Sequence, residues 1–233
     1  MSSATAVVQA RLGSTRFPGK MLASLGEHTL LEWVVTRVKR ARSLQRVVVA
    51  TTSDAVDDRL VAACQQLGVE SFRGSADDVL ARFAGALSGD SADVVVRVCA
   101  DNPFVDPECI DTVVAELVAS GSEYAFNHRP HGDGNYADGF GAEALTRPMF
   151  EKLAASPLTA AQREHVTLAI VDGSVPSRVH ACRAIGVLAR PKLRFDVDTP
   201  ADLARLEILV RKGPISLAAT GVEIVELCAR ANL

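Results

Sequence analysis

Ala6-Val7-Val8-Gln9-Ala10 runs without a break into Arg11-Leu12-Gly13-Ser14-Thr15-Arg16-Phe17-Pro18-Gly19-Lys20. The first five residues form a short apolar run, β-branched at Val7 and Val8, as a buried parallel strand should be. The loop that follows has a different composition. Gly13 and Gly19 free the backbone to bring N–H groups close to an anion. Ser14 and Thr15 add hydroxyl donors, and Arg11, Arg16 and Lys20 add cationic ones. Dispersed donors of this kind suit a triphosphate. The stretch is neither a GxxxxGK[ST] loop nor a GxGxxG fingerprint. From residue types alone, a surface loop with a few basic residues is an equal reading.

Working outward, strand and helix alternate. Thr29-Leu30-Leu31-Glu32 has the form of a capping box, opening a helix with Leu30, Val34, Val38 and Ala41 at helical spacing. Residues 46–52 read as a second strand. Asp54 is placed to cap a helix carrying Leu60, Val61, Cys64 and Leu67, with Gly68 as its stop. Residues 69–72 are a third strand, 77–87 a helix, 93–99 a fourth strand and 107–120 a helix ended by Gly121. Residues 193–197 read as a strand, 199–212 and 222–230 as helices. The pattern predicts an α/β fold with a mainly parallel sheet and helices on both faces. The rhythm breaks in the polar stretch 127–141. One domain over 1–233 is expected, with a mixed region at about 127–190.

Composition sets limits on function. The chain has 233 residues, 48% of them apolar and 23% charged, enough for a full core. A net charge of −3 gives no general attraction to nucleic acid or anionic membrane, so phosphate binding must come from a local cluster. No apolar run approaches a membrane span. Met1-Ser2-Ser3-Ala4-Thr5 lacks the pattern of a signal peptide, and a cytoplasmic location is expected. The five cysteines are scattered without a CxxC and read as reduced thiols.

In parallel sheets ligands sit at the carboxyl ends of strands. This gives weight to 11–20, 51–54, 73–78, Asp101 and Asp198. Asp101 and Asp198 suit magnesium, which takes hard oxygen ligands and often binds through one or two carboxylates plus substrate phosphates. Asp196 shares a strand face with Asp198 and is an alternative ligand. The competing structural reading has Asp101 heading a turn before Pro103 and Asp198 capping the helix that starts at Pro200. The polar groups of 127–143, among them His128, Arg129, His131, Asp138 and Glu143, are candidates for contacting an acceptor; a mobile loop is the bland alternative. Thr159 would cap a helix whose second turn carries Arg163, Glu164 and His165, and His165 there is either an acceptor contact or a packed residue. His28 and His180 carry no functional reading.

Residues 7–22, V-V-Q-A-R-L-G-S-T-R-F-P-G-K-M-L, resemble the opening signature of the cytidylyltransferase family. The similarity is strongest to its spore coat polysaccharide biosynthesis (SpsF-like) branch. It continues through Leu31-Glu32-Trp33-Val34, Val48-Val49-Ala50-Thr51, Phe72-Arg73-Gly74-Ser75 and Asp77-Asp78-Val79-Leu80. Further matches are Arg97-Val98-Cys99-Ala100-Asp101-Asn102-Pro103, Arg163-Glu164-His165-Val166-Thr167 and Val197-Asp198-Thr199-Pro200. The resemblance implies a Rossmann-like sheet of the nucleotide-diphospho-sugar transferase type, with CTP as donor and Mg2+ on Asp101 and Asp198. By position, Arg11, Ser14 and Lys20 hold the triphosphate. The backbone around Gln9–Leu12 would lie along the ribose and base, which with Gly13 makes Ala10, Arg11, Leu12 and Gly13 nucleotide-binding, and Arg73, Ser75 and Asp78 would sit by the base or the loop that closes on it.

The same resemblance places Arg129, Asp138, Glu143 and His165 on the acceptor side. It makes Lys20, Arg11 and Asp101 the catalytic groups and implies a homodimer built through 127–190. The implied reaction joins CMP to a small-molecule acceptor, a sugar acid, phosphonate or related compound, and releases pyrophosphate. One departure is Cys99-Ala100, where the sugar-acid enzymes carry glutamine and glycine. Two rivals remain. A glycosyltransferase of similar fold would use a DxD motif, whose form Asp196-Val197-Asp198 has; a non-catalytic nucleotide-binding protein would have lost the carboxylates or the lysine.

Overall fold

The computed structural model describes residues 3–127, 135–213 and 215–231. His128, Arg129 and His131 lie outside them. The strands in chain order are β1 (Ala4–Gln9), β2 (Ser24–Leu25), β3 (His28–Thr29), β4 (Leu44–Thr52), β5 (Glu70–Gly74), β6 (Val94–Cys99), β7 (Tyr124–Phe126), β8 (Glu143–Thr146) and β9 (Val179–Ala181). Seven form one sheet in the order β5-β4-β1-β6-β8-β7-β9, while β2 and β3 make a separate antiparallel pair. Within the main sheet β8 alone runs against its neighbours.

The helices are α1 (Leu30–Val38), α2 (Asp58–Gln66), α3 (Val79–Ala86), α4 (Pro107–Ser120), α5 (Arg147–Ala155), α6 (Ala160–Glu164), α7 (Leu168–Val171), α8 (Pro200–Lys212) and α9 (Gly221–Ala231). Strand alternation divides the core into two layers. Ala4, Ala6 and Val8 of β1 pack with Val94, Val96 and Val98 of β6 against α1 and α4. Val7 and Val95 face the other way, onto Leu80 and Phe83 of α3 and Phe150 of α5. Among the described residues, no helix is long and apolar enough to cross a membrane.

The strand order positions the site. The chain leaves β1 to build β4 and β5 on one side, then returns to lay β6 on the other side of β1. Connections diverge at such a switch point and open a crevice above the carboxyl ends of the two strands.

Two buried charged groups tie the connecting segments together. The Asp57 carboxylate accepts from the Leu12 amide at 2.7 Å and from the Thr52 amide at 3.3 Å, and it also takes the Thr52 hydroxyl. It thereby ties the loop after β1 to the end of β4. Asp54, expected as the helix cap, makes no side-chain cap bond; a short 3-10 turn, Ala55–Asp57, intervenes before α2. On the other side, fully buried Arg37 donates from Nε to the Val105 carbonyl at 2.8 Å and from Nη1 to Ala219 at 2.6 Å. Burial pulls its pKa down to about 10, with Asp106 opposing, so it stays charged at neutral pH. Asp106 caps α4 through the amides of Glu108 and Cys109. One guanidinium thus fastens α1, the loop after β6 and the segment before α9.

Two further expectations change. At Thr29 only half of the capping box forms: Thr29 accepts from the Glu32 amide, and the Glu32 carboxylate meets His28 Nδ1 at 2.9 Å. Residues 193–197 make no strand; a single bridge joins Arg194 to Asp138. Their partner is a loop, so the ladder cannot extend. The close approach requires Gly139: its φ is 104°, and a Cβ there would fall 2.7 Å from Phe195 Cβ.

Asp57→Ala should destabilise the fold by about 2–4 kcal/mol, because it leaves buried amide and hydroxyl donors without acceptors. Chemical denaturation measures this; a loss within experimental error would show that Asp57 does not hold the two segments.

Candidate active site at the carboxyl edge of β1 and β6

Gln9 ends β1 beside Cys99 of β6, and the Ala100 amide donates to the Gln9 carbonyl at 3.2 Å. Beyond this point the 11–20 loop folds back on itself, with the Gly19 amide on the Leu12 carbonyl at 2.9 Å. Gly19 sits at φ 74°, which turns the chain into a 3-10 turn, Lys20–Leu22. Lys20 is thereby aimed into the crevice. Its Nζ donates to the Val197 carbonyl at 2.8 Å and lies 3.5 Å from both Asp101 Oδ2 and Asp198 Oδ1. Arg16 reaches Asp198 Oδ1 at 3.0 Å.

Asp101 and Asp198, far apart in sequence, therefore share one ammonium. The Val197 amide donates to the Asp101 carbonyl at 2.8 Å, which locks the two segments side by side. Burial raises the Asp101 pKa above the ordinary carboxylate value; Lys20 opposes this and Asp198 adds to it. The capping reading for Asp198 does not hold, since Thr199 is the N-cap of α8 in a complete capping box with Asp202. Asp196 accepts from Nε and Nη2 of Arg194, at 3.0 and 2.7 Å. Asp196 and Asp198 therefore pair with different cations.

A cavity of about 220 Å3 is lined by Ala10, Arg11, Ser14, Lys20, Asp101 and Asp198, together with Gln9, Thr15, Arg16, Met21, Cys99 and Ala100. Asp198 also borders a larger cavity, about 550 Å3, between residues 192–196 and α8. Cys99 is pushed up to about 12, chiefly by burial, and stays a thiol at neutral pH.

Other expected residues are placed differently. Leu12 is buried with its amide on Asp57, so it shapes the loop instead of offering a donor. Gly13 is exposed beside it, outside the cavity lining. Arg73 is taken up by the Thr52 and Asp54 carbonyls and by Asp58 at 2.6 Å, away from the cavity. Ser75 accepts from the amides of Asp77 and Asp78, and Asp78 caps α3 and pairs with Arg163 at 2.6 Å. That loop still borders the site, because Arg11 Nη1 reaches the Ala76 carbonyl at 3.4 Å.

On the expected acceptor side, Glu143 is buried; it accepts from the Tyr124 hydroxyl at 2.9 Å and binds Arg97. Its carboxylate is thus engaged with Arg97 and Tyr124. Arg97 and Glu143, with Cys99, Asn102, Gly141 and Ala142, line a narrow cleft beside the crevice. The sequence reading missed Arg97, because a charged residue in an apolar strand gives no sign of which element will face it. Asp138 lies 3.8 Å from Arg194, across the 193–197 segment. His165 is exposed and ends the five-residue α6, so it is not on a second turn.

The carboxylates fit a divalent cation by their chemistry. Two hard oxygen donors already converge on one cationic group, and such a pair is what magnesium or manganese takes from a protein. Cationic donors, paired carboxylates and a switch-point crevice define a nucleotidyltransferase. The chain belongs to the cytidylyltransferase family, whose profile matches residues 5–174. It is 32% identical over 229 residues to the spore coat polysaccharide biosynthesis protein SpsF of Bacillus subtilis (strain 168), covering 96% of this chain and 93% of that one. A cytidylyltransferase structure from Leptospira borgpetersenii serovar Hardjo-bovis (strain JB197) superposes with a TM-score of 0.90 at 26% identity, covering 100% of this chain and 96% of that one. The fold is also that of a CMP:2-keto-3-deoxy-manno-octonic acid synthetase complexed with CTP, with a TM-score of 0.65 at 18% identity, covering 90% and 99%.

Lys20→Met removes the cation between the two carboxylates. It should cost about 2 kcal/mol at neutral pH, less than a fully buried pair because the carboxylates are part-exposed. The folded-state pKa of Asp101 is raised, so its contribution is favourable below the ordinary carboxylate range and is lost as pH rises through the raised value. Without Lys20 that value climbs further, and the variant's deficit should be large near about pH 8 and shrink toward about pH 5. Equal melting-temperature losses at both pH values would contradict this.

Proposed function

We propose that this chain is a CTP-dependent cytidylyltransferase in which an acceptor oxygen attacks the α-phosphorus of CTP. A new P–O bond forms to the acceptor, the bond to the β-phosphate breaks, and pyrophosphate leaves. The observation that carries this reading is the convergence of Asp101, Asp198 and Lys20 at the mouth of the 11–20 loop. A nucleotide-sugar donor would need fewer cations than Arg11, Arg16 and Lys20 provide. The CTP complex of the structurally similar synthetase supports cytosine as the base.

The protein's part is positioning and charge neutralisation. Arg11, Ser14 and Lys20 hold the triphosphate, and Arg16 and Lys20 face the leaving pyrophosphate. The base and ribose extend from the cavity along Ala10 and Arg11 toward Ala76, where Ser75 and Asp78 stabilise the loop that lies alongside. Asp101 and Asp198 hold Mg2+, with Asp198 favoured over Asp196 because Arg194 occupies the latter. When bound, the metal would supply Lewis-acid chemistry, neutralising phosphate charge and lowering the pKa of the acceptor hydroxyl. Among the described residues no separate general base faces the cavity, which fits a metal-activated hydroxyl or an acceptor already ionised.

The acceptor is proposed to be a sugar acid, phosphonate or related compound, with the cleft lined by Arg97 and Glu143 beside the crevice as its place. Arg129, Asp138 and His165 remain proposals for its other contacts. The name of the Bacillus subtilis relative points to polysaccharide assembly as the setting. We further propose that the chain acts as one domain in the cytoplasm. A homodimer through 127–190 is proposed because Val171, Val179 and Ile185 are exposed there, Ile185 at 90%; sedimentation equilibrium giving a monomer would refute it.

Pyrophosphate release from CTP and Mg2+ with a panel of acidic and neutral acceptors tests the reaction. Acidic acceptors should be turned over; nucleotide-sugar turnover without pyrophosphate release would favour a glycosyltransferase. Asp101→Asn should lower turnover by roughly 10³-fold while leaving CTP binding measurable by calorimetry. Undiminished turnover would remove Asp101 from the metal site.

A further inference from the structure

Far from the 11–20 loop, at the outer edge of the sheet, three residues without a role in nucleotide chemistry meet. Glu116 comes from α4, and His180 and Cys182 from β9 and the residue that follows it. The Cys182 amide donates to the Phe126 carbonyl at 2.8 Å, so the strand pattern continues through Cys182. Residues two apart on extended chain point to one face. That face is the one α4 covers, and Glu116 projects toward it. His180 Nε2 lies 2.7 Å from Glu116 Oε2, and the three donor atoms all lie within 4.8 Å of one another. Cys182 is fully buried, whereas Glu116 and His180 reach solvent.

We infer that Glu116, His180 and Cys182 form a binding site for a borderline-soft divalent metal such as zinc, separate from the carboxylate pair of the crevice. One sulfur, one imidazole nitrogen and one carboxylate oxygen are donors that tetrahedral zinc accepts. Magnesium and calcium prefer all-oxygen sets, so the two sites select different ions. Bond lengths of about 2.0–2.3 Å put neighbouring donors about 3.3–3.7 Å apart around a tetrahedral ion. Rotation of the part-exposed Glu116 and His180 side chains opens their short contact and closes the distance to Cys182.

The fourth position is on the solvent side and takes water. In the metal-free protein the site is held by protons. Burial, and the carboxylate of Glu116, push the Cys182 thiol up to about 12, and Glu116 accepts from it. Metal binding sends the thiol proton to solvent and replaces these hydrogen bonds with bonds to the ion. The ion would clamp β9, an outermost strand of the sheet, to α4. The sequence offered no hint, because Glu116 and His180 are 64 positions apart and no CxxC or HxxxH spacing announces the set.

The test uses the full chain carrying Asp101→Asn and Asp198→Asn, stripped with chelator, so that the crevice does not compete. Titration with Co2+ should show one equivalent bound with a thiolate-to-metal charge-transfer band. Titration with Zn2+ should raise the melting temperature and release protons. Cys182→Ser should abolish the band, and His180→Ala should weaken Zn2+ binding at least tenfold. His180 is part-exposed, so His180→Ala keeps the test valid if Cys182→Ser fails to fold. Absence of the thiolate band, or Zn2+ affinity unchanged in His180→Ala, would overturn the site. Neither result bears on the cytidylyltransferase reading, since the nucleotide site plays no part in the measurement.

Discussion

Two carboxylates facing each other across a crevice repel unless a positive charge lies between them, and the placement of that charge organises this molecule. Asp101 comes at the end of β6, in the middle of the chain, and Asp198 comes just before α8, near its end. Lys20 arrives from the loop after β1 and stands 3.5 Å from each. Its Nζ also takes the Val197 carbonyl, so the cation binds backbone and side chain at one point. The site is thus assembled from three distant segments whose mutual position is set by electrostatics as well as by packing.

The supports of this arrangement are buried polar groups, not further apolar contacts. Asp57 fixes the start of the cationic loop by its Leu12 bond, and Arg37 fixes the loop after Asp101 by its bonds to Val105 and the segment before α9. Each is costly to bury alone and is tolerated because its donors or acceptors are met. Neither lines the crevice. The same logic applies at Arg97, whose guanidinium is held by Glu143 and whose position beside the cleft follows from that pairing.

The parts that were hard to read share a physical cause. Residues 193–197 carry the alternation of a strand, but whether a ladder forms depends on the partner, and here the partner is a loop around Gly139. Asp54, Asp57 and Asp58 are equivalent in sequence, yet only Asp57 is enclosed, because its carboxylate falls where β1 and β4 end together. Arg73 has the residue type of a phosphate ligand, but its fork is satisfied by Thr52, Asp54 and Asp58 before any ligand arrives. His165 lost its helical position because α6 stops after a little more than one turn.

By itself the sequence determined the α/β alternation, the two-sided core and the cationic loop, because period-two and period-3.6 patterns, glycine positions and capping residues are local properties. The family signature is local in the same way. The tertiary structure alone decided which charges would meet: that Lys20 stands between Asp101 and Asp198 while Asp196 is taken by Arg194, that Glu143 serves Arg97, and that Glu116, His180 and Cys182 converge at the sheet edge. These are contacts across long stretches of chain. Their energies depend on distance, burial and competing partners, none of which the order of residues records.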